Sequence, residues 1–241
     1  PVSAEAARAK MTPLTKAVIV AHMFGLPADM TALGTLGVPL VEDCAQALGA
    51  RFQGDLVGGF GKFSFFSFYA TKMITTGYGG MLLSKDTRVT AAVREMRTYL
   101  GQEADKPCWN SNITDFQAAM GVNQLKRLPH FIEQRRQIAD IFTKRFLQAH
   151  LEVPPMYEGR DNVWYRYPLK VKRSLRDAVE FLKKNNIEGK PPIAKPLHQL
   201  LELDGAGFPE TERAFLKTIS IPIYPALLNK EVDFIAKVVA R

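Results

Sequence analysis

Short apolar runs separated by polar turns predict a β-sheet in the first part of the chain. Residues 16–24 (KAVIVAHMF) and 38–43 (VPLVED) are rich in β-branched and apolar side chains, and the stretch between them predicts a turn and a short helix. Residues 62–70 alternate aromatic with small or polar side chains, and residues 79–86 form a further short strand that paired glycines introduce. This β–α–β rhythm indicates a mostly parallel sheet that is covered on both faces.

Further along the chain the apolar residues recur at helical spacing. Residues 88–99 and 113–150 carry them at intervals of three and four, which predicts helices. Pro129 interrupts the second stretch. Because proline lacks the N–H donor and clashes with the preceding turn, we expect either two helices or one kinked helix there.

The proline-containing stretch 151–159 (LEVPPMYEG) predicts a domain boundary. We expect a partial large domain over residues 1–150, including the long helices, and a small αβ domain over residues 151–241. Ser174 and Asn229 are the expected N-caps of two helices in the small domain. The pattern predicts four elements in that domain: strands at 163–172 and 218–223, and helices at 174–185 and 229–240.

Composition is that of an ordinary globular protein. Hydrophobic residues make up 46% and charged residues 23% of the 241 positions. No apolar run is long enough to cross a bilayer, and the first residues lack the apolar core of a signal peptide. Cys44 and Cys108 form neither a disulfide framework nor a metal-ligand spacing such as CxxC. We therefore expect a cytoplasmic protein with free thiols, without a metal site and without a membrane partner.

The net charge of +8 is compatible with nucleic acid, an acidic membrane surface or an anionic small substrate as partner. The basic clusters alternate with apolar residues inside predicted helices and strands, and the sequence contains no nucleic-acid-binding motif. Solvated helix faces account for most of this charge, and binding of an anionic substrate or phosphate accounts for most of the rest. No nucleic-acid partner is expected.

Residues 41–80 carry the candidate chemistry. One predicted strand ends in Asp43, and ligands of open α/β sheets bind beyond the carboxyl ends of strands. The strand at 62–70 leads into Ser67–Lys72, and the glycine pair Gly79–Gly80 follows. Small hydroxyl and glycine residues let backbone amides approach an anion, and a neighbouring lysine can pair with phosphate or act as a nucleophile. Each of these residues also has a structural interpretation as a cap, a solvated lysine or a turn glycine. Only their combination favours a site.

Several ordered motifs resemble the sugar aminotransferases of the DegT/DnrJ/EryC1/StrS family over essentially the whole chain. The motifs are EDCAQALGA at 42–50, the glycine-rich stretch at 54–61, SFYATK at 67–72, TGYGG at 76–80, WNSNITDFQAAMGVNQLKRL at 109–128, KPLHQ at 195–199 and SIPIYPALLNKEVDFI at 220–235. The resemblance implies an α/β, fold type I pyridoxal-phosphate-dependent transferase. It implies transfer of an amino group, with glutamate as the usual donor, to a nucleotide-linked keto sugar for polysaccharide or secondary-metabolite sugar biosynthesis.

The resemblance also implies roles for matching residues. Lys72 would form the Schiff base with pyridoxal phosphate and then shuttle the proton, and Asp43 would pair with the protonated pyridine nitrogen. Gln46 would hydrogen-bond the 3-oxygen of the ring, and Ser67 would bind the cofactor phosphate. Asn110 would reach the phosphate of the neighbouring subunit's cofactor, which implies a homodimer.

Three positions depart from the family pattern. Leu48, Tyr78 and Asn112 stand where the family frequently has histidine, glutamate and arginine. Tyr78 and Asn112 are expected near the substrate, so they bear on substrate choice. His22 and His198 match family positions, but a lone histidine after a strand is more often structural, and neither is assigned a catalytic role.

The chain begins just before the mid-domain strand of the family. The opening helices, the segment that grips the phosphate and the aromatic residue that stacks on the ring are missing from it. A second interpretation is therefore a truncated, non-catalytic remnant that binds a partner chain or ligand without turnover. A third, a sugar dehydratase of the same family, carries histidine at the Schiff-base position, and Lys72 argues against it. Exposed sheet surface and edges predict self-association.

Overall fold

The computed structural model describes residues 1–97, 107–172 and 174–241. The described chain forms two compact units, the first comprising residues 1–131 with 158–163 and the second residues 132–157 with 164–241. The predicted domain boundary at residue 150 falls later than this division. The last part of the long helix belongs to the second unit because its apolar residues join the core of that unit.

The first unit is built around a mixed sheet. Its elements are α1 (Ala4–Lys10), β1 (Val18–Ala21), α2 (Met30–Gly34), β2 (Leu40–Asp43), β3 (Arg51–Phe52), β4 (Asp55–Leu56), β5 (Phe63–Ser67), β6 (Gly80–Leu83), α3 (Thr87–Arg97), the beginning of α4 (Asp115–Gln148) and β7 (Arg160–Asp161). A single 3₁₀ turn, Met23–Gly25, follows β1. The short strands β3, β4 and β7 form a separate antiparallel sheet that the hydrophobic pattern did not predict.

The strand order of the main sheet is β1-β2-β5-β6. Strands β1, β2 and β5 are parallel, and β6 pairs antiparallel with β5. The prediction of a mostly parallel sheet is therefore confirmed, but the sheet is not covered on both faces as predicted, because Ile19 on β1 and Met81 on β6 are exposed. Since the three parallel strands run in the same direction, their carboxyl ends lie along one edge of the sheet.

Helix α4 contains Pro129, yet it is one helix of 34 residues. Of the two predicted alternatives, the structure has the single helix that contains Pro129 and not two separate helices. Leu128 and Ile132, on either side of the proline, are both buried. Because most helical stability in proteins comes from packing of an apolar face, this burial compensates for the hydrogen bond that proline cannot donate. The predicted helix at 88–99 is present as α3, and residues 98 and 99 lie outside the described ranges.

The second unit contains the end of α4 and a two-stranded antiparallel sheet. Its other elements are β8 (Tyr167–Lys170), α5 (Leu175–Lys184), α6 (Leu197–Leu200), a 3₁₀ turn (Gly205–Gly207), α7 (Pro209–Lys217), β9 (Thr218–Ile221) and α8 (Asn229–Val239). The four predicted elements are present, and α6 and α7 lie between α5 and β9, where no element was predicted. A sequence signal for α7 existed, because Pro209 stands at its first position and two glutamates occupy its first turn.

An aromatic cluster forms the centre of the second unit. Phe142, Phe146 and Tyr167 are fully buried, and the rings of Trp164 and Tyr167 stack at 5.3 Å. The hydroxyl of Tyr167 lies 2.9 Å from that of Thr143, which satisfies the only polar atom of its side chain. Burial raises the pKa of Tyr167 to about 12.

The N-cap of α5 is as predicted, and that of α8 is not. Ser174 Oγ accepts from the Asp177 N–H at 3.1 Å. Asn229 is the first helical residue of α8, and Leu228 is its N-cap. The Glu231 carboxylate accepts from the Leu228 N–H at 2.8 Å, so an acidic side chain in the first turn, rather than an asparagine cap, satisfies this helix end. None of the helices in the described ranges has the length and apolarity that crossing a bilayer requires.

Candidate functional site

The carboxyl ends of β2 and β5 bring two of the predicted site residues to one edge of the sheet. Asp43 is the last residue of β2, and Ser67 is the last residue of β5. The two strands pair in parallel with Asp43 opposite Phe65, and the Cys44 N–H continues the ladder to the Phe65 carbonyl at 3.0 Å. Gln46 and Lys72 follow in the loops that leave these two strand ends.

Asp43 is half-buried, and one of its carboxylate oxygens is held by the backbone. Its Oδ1 accepts from the Ala45 N–H at 2.9 Å. The Asp43 carbonyl in turn accepts from the His22 N–H at 3.1 Å, which joins the end of β2 to the end of β1. The carboxylate is therefore oriented while its second oxygen keeps acceptor capacity for a ligand.

The side-chain amide of Gln46 has a defined orientation. Its Oε1 accepts from the Phe24 backbone N–H at 2.9 Å. Because Oε1 is the acceptor, the group that Gln46 can offer to a ligand is its NH₂ donor. A donor at this place suits an anionic oxygen rather than a second N–H group.

Lys72 lies in a tight loop that follows β5. The Lys72 N–H donates to the Tyr69 carbonyl at 2.9 Å, and the Ser67 hydroxyl accepts from the Tyr69 N–H at 3.3 Å. The Thr76 N–H closes the loop on the Phe68 carbonyl at 3.0 Å. Lys72 itself is half-buried, so its amine belongs to a loop whose backbone is constrained by these bonds.

The glycine pair after this loop is explained by backbone packing. A Cβ on Gly80 would lie 2.6 Å from the Phe66 carbonyl oxygen, and Gly79 has φ +124°. Both positions therefore require glycine where β6 approaches β5. The rings of Tyr69 and Tyr78 meet edge to face at 5.3 Å, and both side chains are exposed.

Asn110 and Asn112 are exposed and lie in the segment that precedes α4. Of the five predicted site residues, Asn110 alone does not follow the end of a parallel strand. An exposed side chain is what a contribution to a neighbouring subunit requires, but the described contacts assign it no partner site. The role of Asn110 stays a prediction.

Glu42 is a functional candidate that the sequence interpretation missed. It is fully buried and accepts hydrogen bonds from the N–H groups of Gly58, Phe60 and Gly61 at 2.7, 2.8 and 2.6 Å. Its Oε2 lies 3.1 Å from His22 Nε2. Burial opposes ionisation of Glu42, but the hydrogen bonds from His22, Gly58 and Gly61 outweigh it and lower the pKa of the carboxyl. An acidic residue inside an apolar strand was the available signal.

His22, Glu42 and Cys44 bring three potential metal-ligand atoms within 4.8 Å of one another. The donors are already engaged, however, because His22 Nδ1 accepts from the Ala28 N–H at 3.0 Å and Nε2 faces Glu42. Burial, together with Glu42 and Asp43, raises the pKa of the Cys44 thiol well above its usual range, so it stays protonated. We therefore interpret this cluster as a hydrogen-bonded part of the fold and not as a metal centre.

His198 is also held by a structural contact. It is buried, its Nε2 lies 2.6 Å from Glu212 Oε1, and its ring stacks on Phe208 at 4.6 Å. The Gln199 side chain donates to the same Glu212 oxygen at 2.6 Å. Hydrogen bonds from Gln199 and His198 lower the pKa of Glu212.

The side chains at the sheet edge fit pyridoxal phosphate by the chemistry of their donors and acceptors. The Asp43 carboxylate suits a protonated pyridine nitrogen, and the Gln46 NH₂ group suits an anionic ring oxygen. The Ser67 hydroxyl suits a phosphate oxygen, and the primary amine of Lys72 suits an aldehyde carbon. The orientations of the first two groups are set by bonds within this structure.

Comparison with known proteins gives this site its context. The sequence model of the DegT/DnrJ/EryC1/StrS aminotransferase family matches residues 1–240 of this chain. A dTDP-3-amino-3,4,6-trideoxy-alpha-D-glucose transaminase from Micromonospora megalomicea subsp. nigra is 32% identical, with 96% of this chain and 67% of that protein covered. The chain thus spans about two thirds of the length of this relative.

Two solved structures share the fold. The aminotransferase TlmJ from Streptoalloteichus hindustanus superposes with a TM-score of 0.90 at 31% identity, covering 99% of this chain and 68% of that one. DesV from S. venezuelae, solved in complex with a ketimine intermediate, has a TM-score of 0.90 at 26% identity, covering 97% and 67% of the two chains. With the family match over residues 1–240, these similarities establish that the chain belongs to the DegT/DnrJ/EryC1/StrS family of aminotransferases, whose cofactor is pyridoxal phosphate.

Proposed function

We propose that this chain transfers an amino group, with glutamate as the donor, to a nucleotide-linked keto sugar. The observation that carries the proposal is the donor set at the carboxyl ends of β2 and β5, where Asp43 and Gln46 are held by backbone N–H groups. Ser67 and Lys72 lie at the end of β5 and in the loop after it. These four side chains have the chemical types that the family motifs require for holding pyridoxal phosphate, and all four lie at or after the ends of two neighbouring strands.

Each residue of this set has a distinct task. When bound, pyridoxal phosphate supplies an electron-accepting ring that allows an amino group to move between two carbon skeletons. Lys72 holds the cofactor covalently and moves the proton at its Nζ atom. The negative charge of Asp43 keeps the pyridine nitrogen protonated, Gln46 donates to the 3-oxygen, and Ser67 binds a phosphate oxygen.

The substrate class rests on two observations. The relative from Micromonospora megalomicea is a transaminase of a dTDP-linked sugar, and the present chain carries a net charge of +8. A positive surface favours the approach of an anionic nucleotide sugar. We place the reaction in the cytoplasm, with the product serving polysaccharide or secondary-metabolite sugar biosynthesis.

The second candidate function is a non-catalytic remnant that binds a partner chain or ligand. It is favoured by the exposed apolar side chains Ile19 on β1 and Met81 on β6. Such side chains normally lie against another layer of a sheet protein.

A binding experiment followed by a turnover experiment separates the two candidates. The chain is mixed with pyridoxal phosphate, reduced with borohydride and digested, and the pyridoxyl group is located by mass spectrometry. We expect the label on Lys72. In a sample that has not been reduced, we expect about one equivalent of glutamate per bound cofactor to become 2-oxoglutarate, because without a keto sugar the amino group can pass only to the cofactor. Labelling of Lys72 without conversion would support the remnant.

Matched lysine variants provide the control for this assignment. Lys72→Ala is expected to abolish the label because no other amine takes its place in the loop. Lys85→Ala, at a lysine that follows the end of β6 and donates to the Gly59 carbonyl at 3.4 Å, is expected to keep it. A label on a different lysine in the unaltered chain would show that the assignment of Lys72 is wrong.

A further inference from the structure

Two buried titratable residues, His22 and Glu42, take no part in the proposed chemistry, yet they adjoin it. Glu42 immediately precedes Asp43, and His22 follows β1. Their side chains are fully buried and lie 3.1 Å apart. Burial of a charged group is costly unless the group is fully hydrogen-bonded. We therefore expect this buried pair to have a specific role in the structure.

The Glu42 carboxylate anchors the loop between β4 and β5. Its two oxygens accept from the backbone N–H groups of Gly58, Phe60 and Gly61. With the His22 ring, four donors converge on one carboxylate. A carboxylate is acceptor-only, whereas an amide in its place would present an NH₂ group to at least one of these donors.

The pattern of hydrogen bonds defines the tautomer of His22. Nδ1 accepts from the Ala28 N–H at 3.0 Å, so the ring proton of the neutral form sits on Nε2 and is donated to Glu42. The imidazole therefore joins β2 to the segment that ends at Ala28. The 3₁₀ turn Met23–Gly25 lies between these two attachment points.

The turn held in this way contains the group that orients Gln46. Phe24 has φ 59°, a left-handed conformation that a bulky residue adopts only when its surroundings impose it. Its N–H donates to Gln46 Oε1 at 2.9 Å. A path of contacts thus runs from Glu42 through His22 and the turn to the amide of Gln46.

We propose that Glu42 and His22 are positioning residues for Gln46: they hold the Phe24 N–H where it engages Gln46 Oε1, so that the amide presents its NH₂ group to the ligand. Without this bond the amide is free to rotate and to offer its carbonyl oxygen, which repels an anionic ring oxygen. The assignment of that ring oxygen to pyridoxal phosphate rests on the proposed function. The hydrogen-bonded path itself does not.

The first test needs no cofactor. Amide hydrogen exchange of Phe24 is measured by NMR in the unaltered chain, in His22→Asn and in Gln46→Leu. His22→Asn keeps an acceptor for the Ala28 N–H and removes the donor to Glu42. We expect exchange of the Phe24 amide to accelerate about tenfold in both variants, as loss of one hydrogen bond would produce.

The core amide of Ile219 in β9 serves as the control for global unfolding. Its exchange is expected to stay unchanged, since it belongs to the other compact unit. Unchanged exchange of Phe24 in His22→Asn would overturn the proposal. A third variant, Glu42→Gln, should also accelerate exchange of the Phe24 amide. It removes part of the loop anchorage as well, so the milder His22→Asn variant decides the outcome if Glu42→Gln does not fold.

The second test uses the cofactor-loaded protein and an absorbance titration. Loss of the Gln46 donor destabilises the anionic ring oxygen, so the pH midpoint of the cofactor's absorbance is expected to rise by about one unit in Gln46→Leu and in His22→Asn. The double variant should show no further rise, because both changes remove the same hydrogen bond. Additive shifts would overturn the proposal. If the unaltered chain binds no pyridoxal phosphate, the proposed function fails while the exchange experiment still decides the positioning role.

Discussion

At the scale of single residues, two adjacent acidic side chains have opposite surroundings. Glu42 points into the protein and is enclosed by four donors, whereas Asp43 ends its strand and is half-buried with one bond to the Ala45 N–H. The alternation of side chains along a strand explains the difference, because neighbours point to opposite faces. One carboxylate thus serves the framework and the other remains available to a ligand.

Replacement of Asp43 tests the role of its charge. Asp43→Asn keeps an acceptor for the Ala45 N–H, so the fold and part of the cofactor affinity are expected to remain. Loss of the charge should lower the pKa of the pyridine nitrogen by about 1–3 units and slow single-turnover transamination by about 10- to 1,000-fold. Stopped-flow absorbance with glutamate measures the rate. An unchanged rate would refute the role, and Asp55→Asn on the exposed strand β4 is the matched control.

The lowered pKa of Glu42 predicts a pH dependence of stability. A carboxyl whose folded pKa lies below its ordinary value of 4.5 contributes stability above that value and loses the contribution as the pH falls through the folded pKa. The difference in unfolding free energy between the unaltered chain and Glu42→Gln should therefore be largest near neutral pH and shrink below about pH 4. Urea unfolding at a series of pH values measures it.

A surface carboxylate provides the comparison for Glu42. Glu180 forms an exposed ion pair with Arg176 at 3.1 Å, and exposed pairs contribute little. Glu180→Gln is expected to change stability by less than about 1 kcal/mol at all pH values. An equal, pH-independent effect of both substitutions would contradict the assigned state of Glu42.

At the scale of secondary-structure elements, the site depends on how closely β5 and β6 approach each other. The antiparallel pairing of Ser67 with Gly80 places the start of β6 beside the end of β5, and the Phe68 N–H donates to the Gly79 carbonyl at 2.9 Å. The loop that carries Lys72 is therefore closed at its base by the two strands. The absence of a side chain at Gly80 permits this close approach of β6 to β5.

Gly80→Ala tests the closure of that loop. The added Cβ would lie 2.6 Å from the Phe66 carbonyl oxygen, and neither atom belongs to a flexible side chain, so the strands must separate. We expect a loss of about 1–3 kcal/mol in unfolding free energy and weaker cofactor binding. Gly34→Ala, in helix α2 with no atom within 4 Å of the new Cβ, should be neutral or slightly stabilising. Equal stability of the two variants would contradict the close approach.

At the scale of the whole molecule, the first unit exposes apolar side chains around the start of α4. Trp109, Phe116, Val122 and Leu125 are 57%, 77%, 57% and 51% exposed. Clusters of exposed apolar side chains mark interaction surfaces in proteins of this size. Asn110 lies in the same segment, which links this surface to the predicted sharing of a site between subunits.

Self-association through this surface is the corresponding prediction. We expect a homodimer at micromolar concentration with an interface of about 2,000 Å² or more. Sedimentation velocity distinguishes it from a monomer of 26.9 kDa. Phe116→Glu should dissociate the dimer, whereas Leu203→Glu, at an exposed leucine of the second unit, should not. A monomer that binds pyridoxal phosphate would contradict the shared site.

The sequence by itself predicted the strands of the main sheet, the helices α3, α5 and α8, and the candidate chemistry of this protein. Strands β1, β2 and β5 follow from runs of β-branched and aromatic residues, and β6 follows from the apolar run after the paired glycines. Asp43 and Ser67 stand at the ends of β2 and β5. Periodicity predicts such features because they depend on neighbours along the chain. Ser174 capped its helix as predicted for the same reason.

Only the tertiary structure decided the features that depend on residues far apart in the chain. The continuity of α4 through Pro129 depends on burial of the residues beside it, and the donor orientation of Gln46 depends on an N–H group 22 positions away. The role of Glu42 depends on N–H donors from residues 58–61, which lie at least 16 positions away in the chain. Packing and long-range hydrogen bonds set these outcomes, and neither leaves a periodic signal in the sequence.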